Sequence, residues 1–273
     1  MSIEIHHNIV SESEIKILRD YLANGQGIFD RRPGVTTRRP TQLGVPYDND
    51  TSWPMQLVID IISRAFGSSV DAWELEPGGV LFYDAKDCFT LHVDSGDGQD
   101  TLYKNILIPL YTEGGGSTVI FKNKWYGPRT RFARVLTGPF SERLPRKDGQ
   151  FQVVDDIRKL SDISDFDITE KDLEELILKK SPNSAKPPEP RLSDYSQVEG
   201  YDPDLKFDEE FHQKWLSHIP IENLHGLTVK KVLKWEVGDV LVWDRHYIHS
   251  SGNDHQRKEG IAVFTNLVCS QQT

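Results

Sequence analysis

Two periods of hydrophobic spacing divide the chain. Between Ser11 and Gly25, the residues Ile15, Leu18 and Leu22 recur at three- and four-residue intervals, which predicts an amphipathic helix. Ser11 and Glu14 stand at capping-box spacing at its start, and Gly25 offers a stop. Met55, Val58, Ile59 and Ile62 repeat the pattern between Ser52 and Gly67, with Pro54 in the first turn, where a missing N–H costs nothing. From Asp71 onward the period falls to two, or to short continuous apolar runs, both of which indicate strands. The runs are Asp71–Leu75, Val80–Tyr83, Leu91–Asp94, Leu102–Leu110 and Ser117–Phe121, then Leu227–Val229, Val232–Trp235, Val240–Trp243 and Gly260–Leu267. Pro77-Gly78-Gly79, Ser95-Gly96-Asp97-Gly98, Gly114-Gly115-Gly116 and Gly238-Asp239 read as turns. Many short strands with glycine turns predict a β-sandwich or barrel.

Two stretches interrupt this pattern. Asp30 to Asp50 is rich in Arg, Pro, Gly and Thr and carries Arg31, Arg32, Arg38 and Arg39. It reads as a loop, either solvated or a lid whose cations meet an anionic substrate. Pro139 to Tyr201 is polar and acidic, with one helix expected over Thr169–Lys180 and a Pro-rich linker over Pro182–Pro190. Asp208–His218 reads as a further helix with Phe211 and Trp215 on one side. The expected organisation is a single domain over 1–273. Residues 1–70 form a helical support, 71–138 and 226–268 the core, and 139–225 an insertion that could act as a lid.

Composition narrows the class. A chain of 273 residues with 37% hydrophobic and 27% charged residues is that of a soluble globular protein. The net charge of −10 argues against a general nucleic-acid binder. Two cysteines, Cys88 and Cys269, make neither a disulfide framework nor a CxxC site, which implies a reducing compartment. No basic n-region with an apolar h-region opens the chain, and no apolar run nears the roughly 18 residues of a membrane span. A cytoplasmic location is the expectation. Oligomeric state is not legible.

The candidate chemistry lies in His92-Val93-Asp94 and in His249, which follows His92 by 157 positions (249 minus 92). In an extended segment His92 and Asp94 point to one side. Two imidazoles and a carboxylate on one face of an octahedral ion leave the opposite face open, as in non-haem Fe(II) oxygenases. A His-x-Asp alone has little specificity, so its surroundings carry the weight. Three histidines, His246, His249 and His255, lie in the expected loop Asp244–Gln256. His249 is favoured as the third ligand, because Arg257-Lys258 follows at eight and nine residues and a cation there could reach a carboxylate bound beside the metal. His246 would then be a neighbour of the site or a surface residue, and His255 a loop residue.

These residues resemble the 2-oxoglutarate- and Fe(II)-dependent oxygenases, in particular their prolyl-hydroxylase-like branch. Four features carry the resemblance: Tyr83 nine residues before His92, the set His92-Asp94-His249, Gly115-Gly116-Ser117-Thr118 before a strand, and Gly238-Asp239-Val240-Leu241-Val242-Trp243 before the distal histidine. They fall within Asp71–Phe121 and Lys230–Leu267. The resemblance implies a double-stranded β-helix, the cupin-like jelly roll, mainly β with flanking helices. It implies Fe(II), 2-oxoglutarate and O2, with ascorbate as an aid in vitro, and hydroxylation of a substrate C–H with release of succinate and CO2. Asp94 argues against halogenation, since related halogenases lack that carboxylate. Tyr83 matches the family's tyrosine for the distal carboxylate of 2-oxoglutarate. Lys258 is the first choice for its cation and Arg257 the alternative, the two having opposite phase on one strand. Asn105 could hydrogen-bond the cosubstrate or an iron ligand, or be a core amide. Phe89 and Trp243 read as core. Arg129, Arg131 and Arg134 read as surface residues or as binders of a substrate carboxylate. The substrate is expected to be a small molecule or peptide, with an anionic group as one option. Two other readings compete: a cupin-like metal protein, isomerase or sugar-binding module, that does not use 2-oxoglutarate, and a non-catalytic interaction domain.

Overall fold

Strands that cross repeatedly between two facing sheets set the architecture. The computed structural model describes residues 3–25, 28–32, 35–39, 41–42, 45–46, 54–67, 75–86, 88–94, 104–127, 130–133, 142–149, 151–154, 156–180, 191–192, 195–253 and 256–265. The first half of the chain runs β1 (Glu4–His6), α1 (Glu12–Asn24), β2 (Ile28–Arg32), β3 (Val35–Arg39), β4 (Thr41–Gln42), β5 (Val45–Pro46), α2 (Met55–Phe66), β6 (Leu75–Ala85), β7 (His92–Val93), β8 (Lys104–Thr112), β9 (Ser117–Lys124) and β10 (Thr130–Phe132). The second half runs β11 (Glu142–Pro145), β12 (Phe151–Val154), α3 (Glu170–Lys180), β13 (Arg191–Leu192), β14 (Val229–Lys234), β15 (Val240–Asp244), β16 (Tyr247–Ser251) and β17 (Lys258–Thr265).

One sheet has the order β1-β15-β8-β17-β6-β3-β2 and the other β13-β10-β7-β16-β9-β14. From β6 to β9 and from β14 to β17 the chain changes sheet at every step except β9 to β14, which pair as neighbours. Facing quartets β6-β17-β8-β15 and β7-β16-β9-β14 form a double-stranded β-helix, the jelly roll expected from the sequence. No helix among the described residues is long and apolar enough to cross a membrane.

Side-chain alternation sorts the residues into layers. On the first sheet Val80, Phe82, Ile106, Ile108, Ile261 and Val263 face outward and are buried beneath α1 and α2, with Leu18, Val58 and Ile62. The intervening residues Tyr83, Ala85, Leu107, Leu241 and Trp243 face the second sheet and meet Ile120, Leu233, Trp235 and Tyr247 there. The outer side of the second sheet, with Val93, Val119, Phe121 and Ile248, is covered by residues between β13 and β14, among them Tyr195, Phe207, Leu216 and Leu224. α1 starts at the predicted capping box: Ser11 N donates to Glu14 Oε2 at 2.8 Å and Glu14 N to Ser11 Oγ at 3.4 Å. α2 ends at Gly67 in the left-handed conformation that glycine tolerates.

Several expectations need correction. The segment read as a loop over Asp30–Asp50 contains β2 and β3, and β3 pairs with β6, placing Thr37 opposite Tyr83. Val35-Thr36-Thr37 is β-branched, a strand signal that the neighbouring Arg, Pro and Gly obscured. The expected turn at Pro77-Gly78-Gly79 lies inside β6. Six residues of β6, from Leu75 to Val80, span three of β17, from Val263 to Thr265, so the extra residues form a bulge. β1 pairs with β15 at the sheet edge and was not predicted. The polar stretch Pro139–Tyr201 contains the hairpin β11-β12 and a small core of Leu144, Ile157, Phe166 and Leu173. The helix expected over Asp208–His218 is a short turn at Glu209–Phe211 continued by a π-helical turn at His212–Leu216.

Phe82 is fully buried and its ring lies 4.9 Å from that of Tyr21. Phe82→Ala is expected to lower unfolding free energy by about 3–5 kcal/mol, and Ser11→Ala by about 1 kcal/mol, in urea titrations. Equal, small effects at both positions would show that α1 is not docked on the sheet.

Candidate metal centre

β7 and β16 are neighbours in the second sheet, and their register sets His92 directly opposite His249. Opposed residues on paired strands share a face, and the imidazole centroids lie 4.3 Å apart. Asp94 follows His92 by two residues and joins them. His249 Nε2 lies 3.1 Å from Asp94 Oδ2, and His92 Nε2 lies 3.7 Å from Asp94 Oδ1. One ligand atom from each of the three residues falls within 4.8 Å of the others. Neighbouring ligand atoms at about 2.1 Å from one ion stand about 3 Å apart, so the set needs only small closure around a divalent cation. The backbone prepares both rings. His92 Nδ1 donates to Thr90 O at 2.6 Å and His249 Nδ1 to Tyr247 O at 2.9 Å, which leaves each Nε2 lone pair facing the carboxylate. His249 is buried, while His92 and Asp94 are half-buried, so the set is open on one side.

Asn105, the buried second residue of β8, donates its Nδ2 to Asp94 Oδ2 at 2.6 Å. That bond orients the Asp94 carboxylate. On β17 the alternation sends the two cations to opposite faces. Lys258 is fully buried, with its Nζ 6.0 Å from the Trp235 ring centroid, on the face shared with Gly260 and Ala262. Arg257 turns the other way and binds Asp84 at 3.0 Å and Glu259 at 2.7 Å; Arg19 from α1 closes that network on Glu259 at 2.6 Å. Tyr83 sits opposite Gly260, and a Cβ at Gly260 would come within 2.7 Å of the Tyr83 hydroxyl. The glycine makes room for the phenol. Burial, and then the charge of Asp94, push the Tyr83 hydroxyl well above its ordinary pKa, so it stays protonated.

Phe89 and Trp243, both expected as core, border the site. The Phe89 ring lies 5.9 Å from Tyr83 and 6.4 Å from His92, and Trp243 packs edge-on against His249 at 5.3 Å. Trp235, which the sequence reading passed over, contacts Tyr83 at 6.2 Å and donates to Thr118 Oγ1 at 2.9 Å. Its signal was available, because it alternates with Leu233 along one run. Arg131 on β10 is half-buried and opposite His92 in register, while its neighbours Thr130 and Phe132 are buried on the other side. His246 is not a surface residue: it is fully buried and its Nδ1 donates to Asp244 Oδ1 at 3.0 Å, inside the turn between β15 and β16. The loop expected around His249 is itself strand β16. His255, Arg129, Arg134 and the side chains of Arg31, Arg32, Arg38 and Arg39 lie outside the described residues. A second group, His7, Glu236 and Asp239, gathers near the chain start, but Asp239 is engaged there by His7 Nδ1 at 2.8 Å and Asn8 N at 3.1 Å.

No family profile and no curated protein matches this sequence. Among solved structures, it is similar to a 2OG-Fe(II) oxygenase family oxidoreductase from Burkholderia pseudomallei, with 9% identity and a TM-score of 0.42 over 96% of this chain and 82% of that one. It is also similar to the epimerase SnoN, solved with Fe3+, alpha ketoglutarate and nogalamycin RO, at 10% identity and a TM-score of 0.40, covering 96% of this chain and 78% of that one. The carbocyclase SnoK from nogalamycin biosynthesis gives 10% identity and a TM-score of 0.38, covering 96% of this chain and 79% of that one. Identities and scores this low leave function to be read from the site itself.

Among the described residues these three side chains are the donors gathered at the site, so each is expected to be indispensable. His92→Ala, Asp94→Ala and His249→Ala are each expected to abolish high-affinity binding of a divalent ion in calorimetric titration. Asn105→Ala should weaken it by about tenfold to a hundredfold, as loss of an orienting partner does. His246→Ala should retain wild-type affinity while unfolding at lower temperature. Wild-type affinity in His249→Ala would remove the assignment.

Proposed function

We propose that the protein is an Fe(II)- and 2-oxoglutarate-dependent dioxygenase that hydroxylates a C–H bond of a small molecule or peptide. The observation that carries this reading is the buried Lys258 and protonated Tyr83 in the same inter-sheet layer as the His92-Asp94-His249 set. A dicarboxylate with one end at the triad would extend into that layer, where an ammonium and a phenol O–H favour a carboxylate. This favours the dioxygenase over a cupin-like protein that uses no 2-oxoglutarate, in which Lys258 would have no assigned role.

His92, Asp94 and His249 fit a hard divalent cation with mixed N and O donors. When bound, iron and 2-oxoglutarate would supply the oxidising power for hydroxylation, with succinate and CO2 released and ascorbate maintaining the reduced metal in vitro. Lys258 would hold the distal carboxylate by charge, and Tyr83 would donate a hydrogen bond to it. Trp235 and Phe89 would keep water from that end. Asn105 would hold Asp94 so that its carboxylate faces the ion. Arg131, beside His92 on the open side, supports a substrate bearing an anionic group. Asp94 fills the carboxylate position, which supports hydroxylation over halogenation.

Purified protein with Fe(II), ascorbate and 2-oxoglutarate is expected to release succinate slowly without added substrate, and His249→Ala none. Lys258→Ala leaves a buried carboxylate unpaired, a loss of about 3–5 kcal/mol, or roughly two to three and a half decades in 2-oxoglutarate affinity, with metal binding retained. Tyr83→Phe loses one neutral hydrogen bond, about 1 kcal/mol. Arg257→Ala should leave the affinity unchanged and instead lower stability through Asp84 and Glu259. A severe Arg257→Ala with a mild Lys258→Ala would contradict the site.

A further inference from the structure

His249 divides the inner face of β16 into two ends. Ser251, two residues on, is level with Thr118, whose hydroxyl accepts from Trp235 Nε1, and Lys258 Nζ lies 6.0 Å from the Trp235 ring centroid. The Lys258 end is therefore the Ser251 end. Tyr247, two residues before His249, shares its face and stands at the other end. Because His92 is opposite His249 and the strands are antiparallel, Asp94 and Tyr247 come level as the chain runs on. The open side of the triad lies there too. The Asp94 side chain is 10% exposed where that of His249 is 5%, and beyond Tyr247 both Lys124 and Lys230 are half-buried.

Two ammonium groups meet at Tyr247. Lys124 Nζ from β9 lies 5.1 Å from its ring centroid, and Lys230 Nζ from β14 lies 4.1 Å away. Lys230 is the extra residue of a bulge: Val229 pairs with Phe121 and Lys231 with the next residue back, Ile120. Bulges re-aim side chains in this way. The charge of Lys124 is balanced by Asp244 Oδ2 at 3.8 Å, and Glu199, whose backbone pairs with that of Lys124, is held by the Tyr126 hydroxyl. Lys230 meets no acid among the described residues, and its hydrogen bond goes to the Tyr247 hydroxyl. An ammonium only donates, so that hydroxyl accepts, and its own hydrogen has no acceptor among the described residues. A half-buried cation without an acid, beside a hydroxyl with a hydrogen to give, suits an oxyanion.

Resting on the function proposed above, we infer that Lys230 and Tyr247 bind a carboxylate or phosphate group of the substrate, across the triad from Lys258. Two residues of strand set Tyr247 roughly 7 Å from His249, so the anionic group lies within a small molecule's length of the carbon to be oxidised. The substrate class is a small organic acid or phosphate ester. Lys230 determines specificity by touching the substrate away from the reacting carbon, and Arg131, on the β10 side of His92, is the competing anchor.

The probes are butyrate and inorganic phosphate, with butyramide as the neutral control. Each is titrated calorimetrically into protein loaded with Zn(II) and saturated with 2-oxoglutarate. At least one anion is expected to bind alongside 2-oxoglutarate, and butyramide is not; the tighter anion identifies the group as carboxylate or phosphate. Lys230→Met is expected to weaken that binding by about tenfold to a hundredfold and Tyr247→Phe by about fivefold, with Zn(II) and 2-oxoglutarate affinities unchanged. Failure of both anions to bind, or their displacement by 2-oxoglutarate, would overturn the inference. So would unchanged binding in Lys230→Met, and a loss confined to Arg131→Ala would give the anchor to Arg131 instead. If the unaltered protein binds no 2-oxoglutarate, it is the proposed function that fails. Should Lys230→Met not fold, acetic anhydride labelling of the unaltered protein answers the same question. The tighter anion should slow acetylation of Lys230 and leave the exposed Lys16 unaffected, and an unchanged rate at Lys230 would overturn the inference.

Discussion

The pairing of β7 with β16 is the constraint on which the site depends. β7 has only two residues, yet it must present His92 opposite His249 and not beside it. A slip of one residue in either strand would turn one imidazole to the outer face, where Val93 and Ile248 are buried. The register is fixed by bonds on both sides of the short strand. Phe89 N donates to Ser251 Oγ at 3.0 Å, Ser251 N to Phe89 O at 3.1 Å, and Ser250 Oγ to Phe89 O at 2.7 Å. On the other side Phe132 N donates to Leu91 O at 3.0 Å. Ser250 and Ser251, directly after the distal histidine, are thus the fasteners of the segment that carries the proximal one.

The same alternation that places the imidazoles divides the charges of β17. Glu259 faces α1, where Arg19 and Arg257 satisfy it, and Lys258 faces the inter-sheet layer among Tyr83 and Trp235. Neutral small residues follow Lys258 on that face, so the space before it is not filled by β17 itself. The outer layers carry the stability: α1 and α2 bury one sheet, and the chain from Tyr195 to Leu227 buries the other. The inner layer is thereby released to hold polar groups.

Much of this was legible in the sequence, and for physical reasons. The helices announce themselves by apolar spacing and caps, and His92-Asp94 by a separation that only an extended chain turns to one side. Lys258 was preferred to Arg257 because the small residues Gly260 and Ala262 share its phase, and the register of Gly260 with Tyr83 places that phase on the inner face. β16 was hidden because Tyr-Ile-His-Ser-Ser carries polar residues on the face that lines the site. β1 was hidden because three residues carry no period, and its strand conformation comes from the edge of β15. The bulge in β6 could not be read from Pro-Gly-Gly, which marks turns and bulges alike. Asn105 and Trp243 lie in apolar runs, where an amide and an indole read as core until their neighbours are known.

Crystals grown with Mn(II) and 2-oxoglutarate, examined by anomalous diffraction at the manganese edge, test the central claim most directly. The ion is expected between His92 Nε2, Asp94 and His249 Nε2, with the far carboxylate of 2-oxoglutarate at Lys258 and Tyr83. Manganese at His7, Glu236 and Asp239 with none at the triad, or 2-oxoglutarate lying away from Lys258, would contradict it.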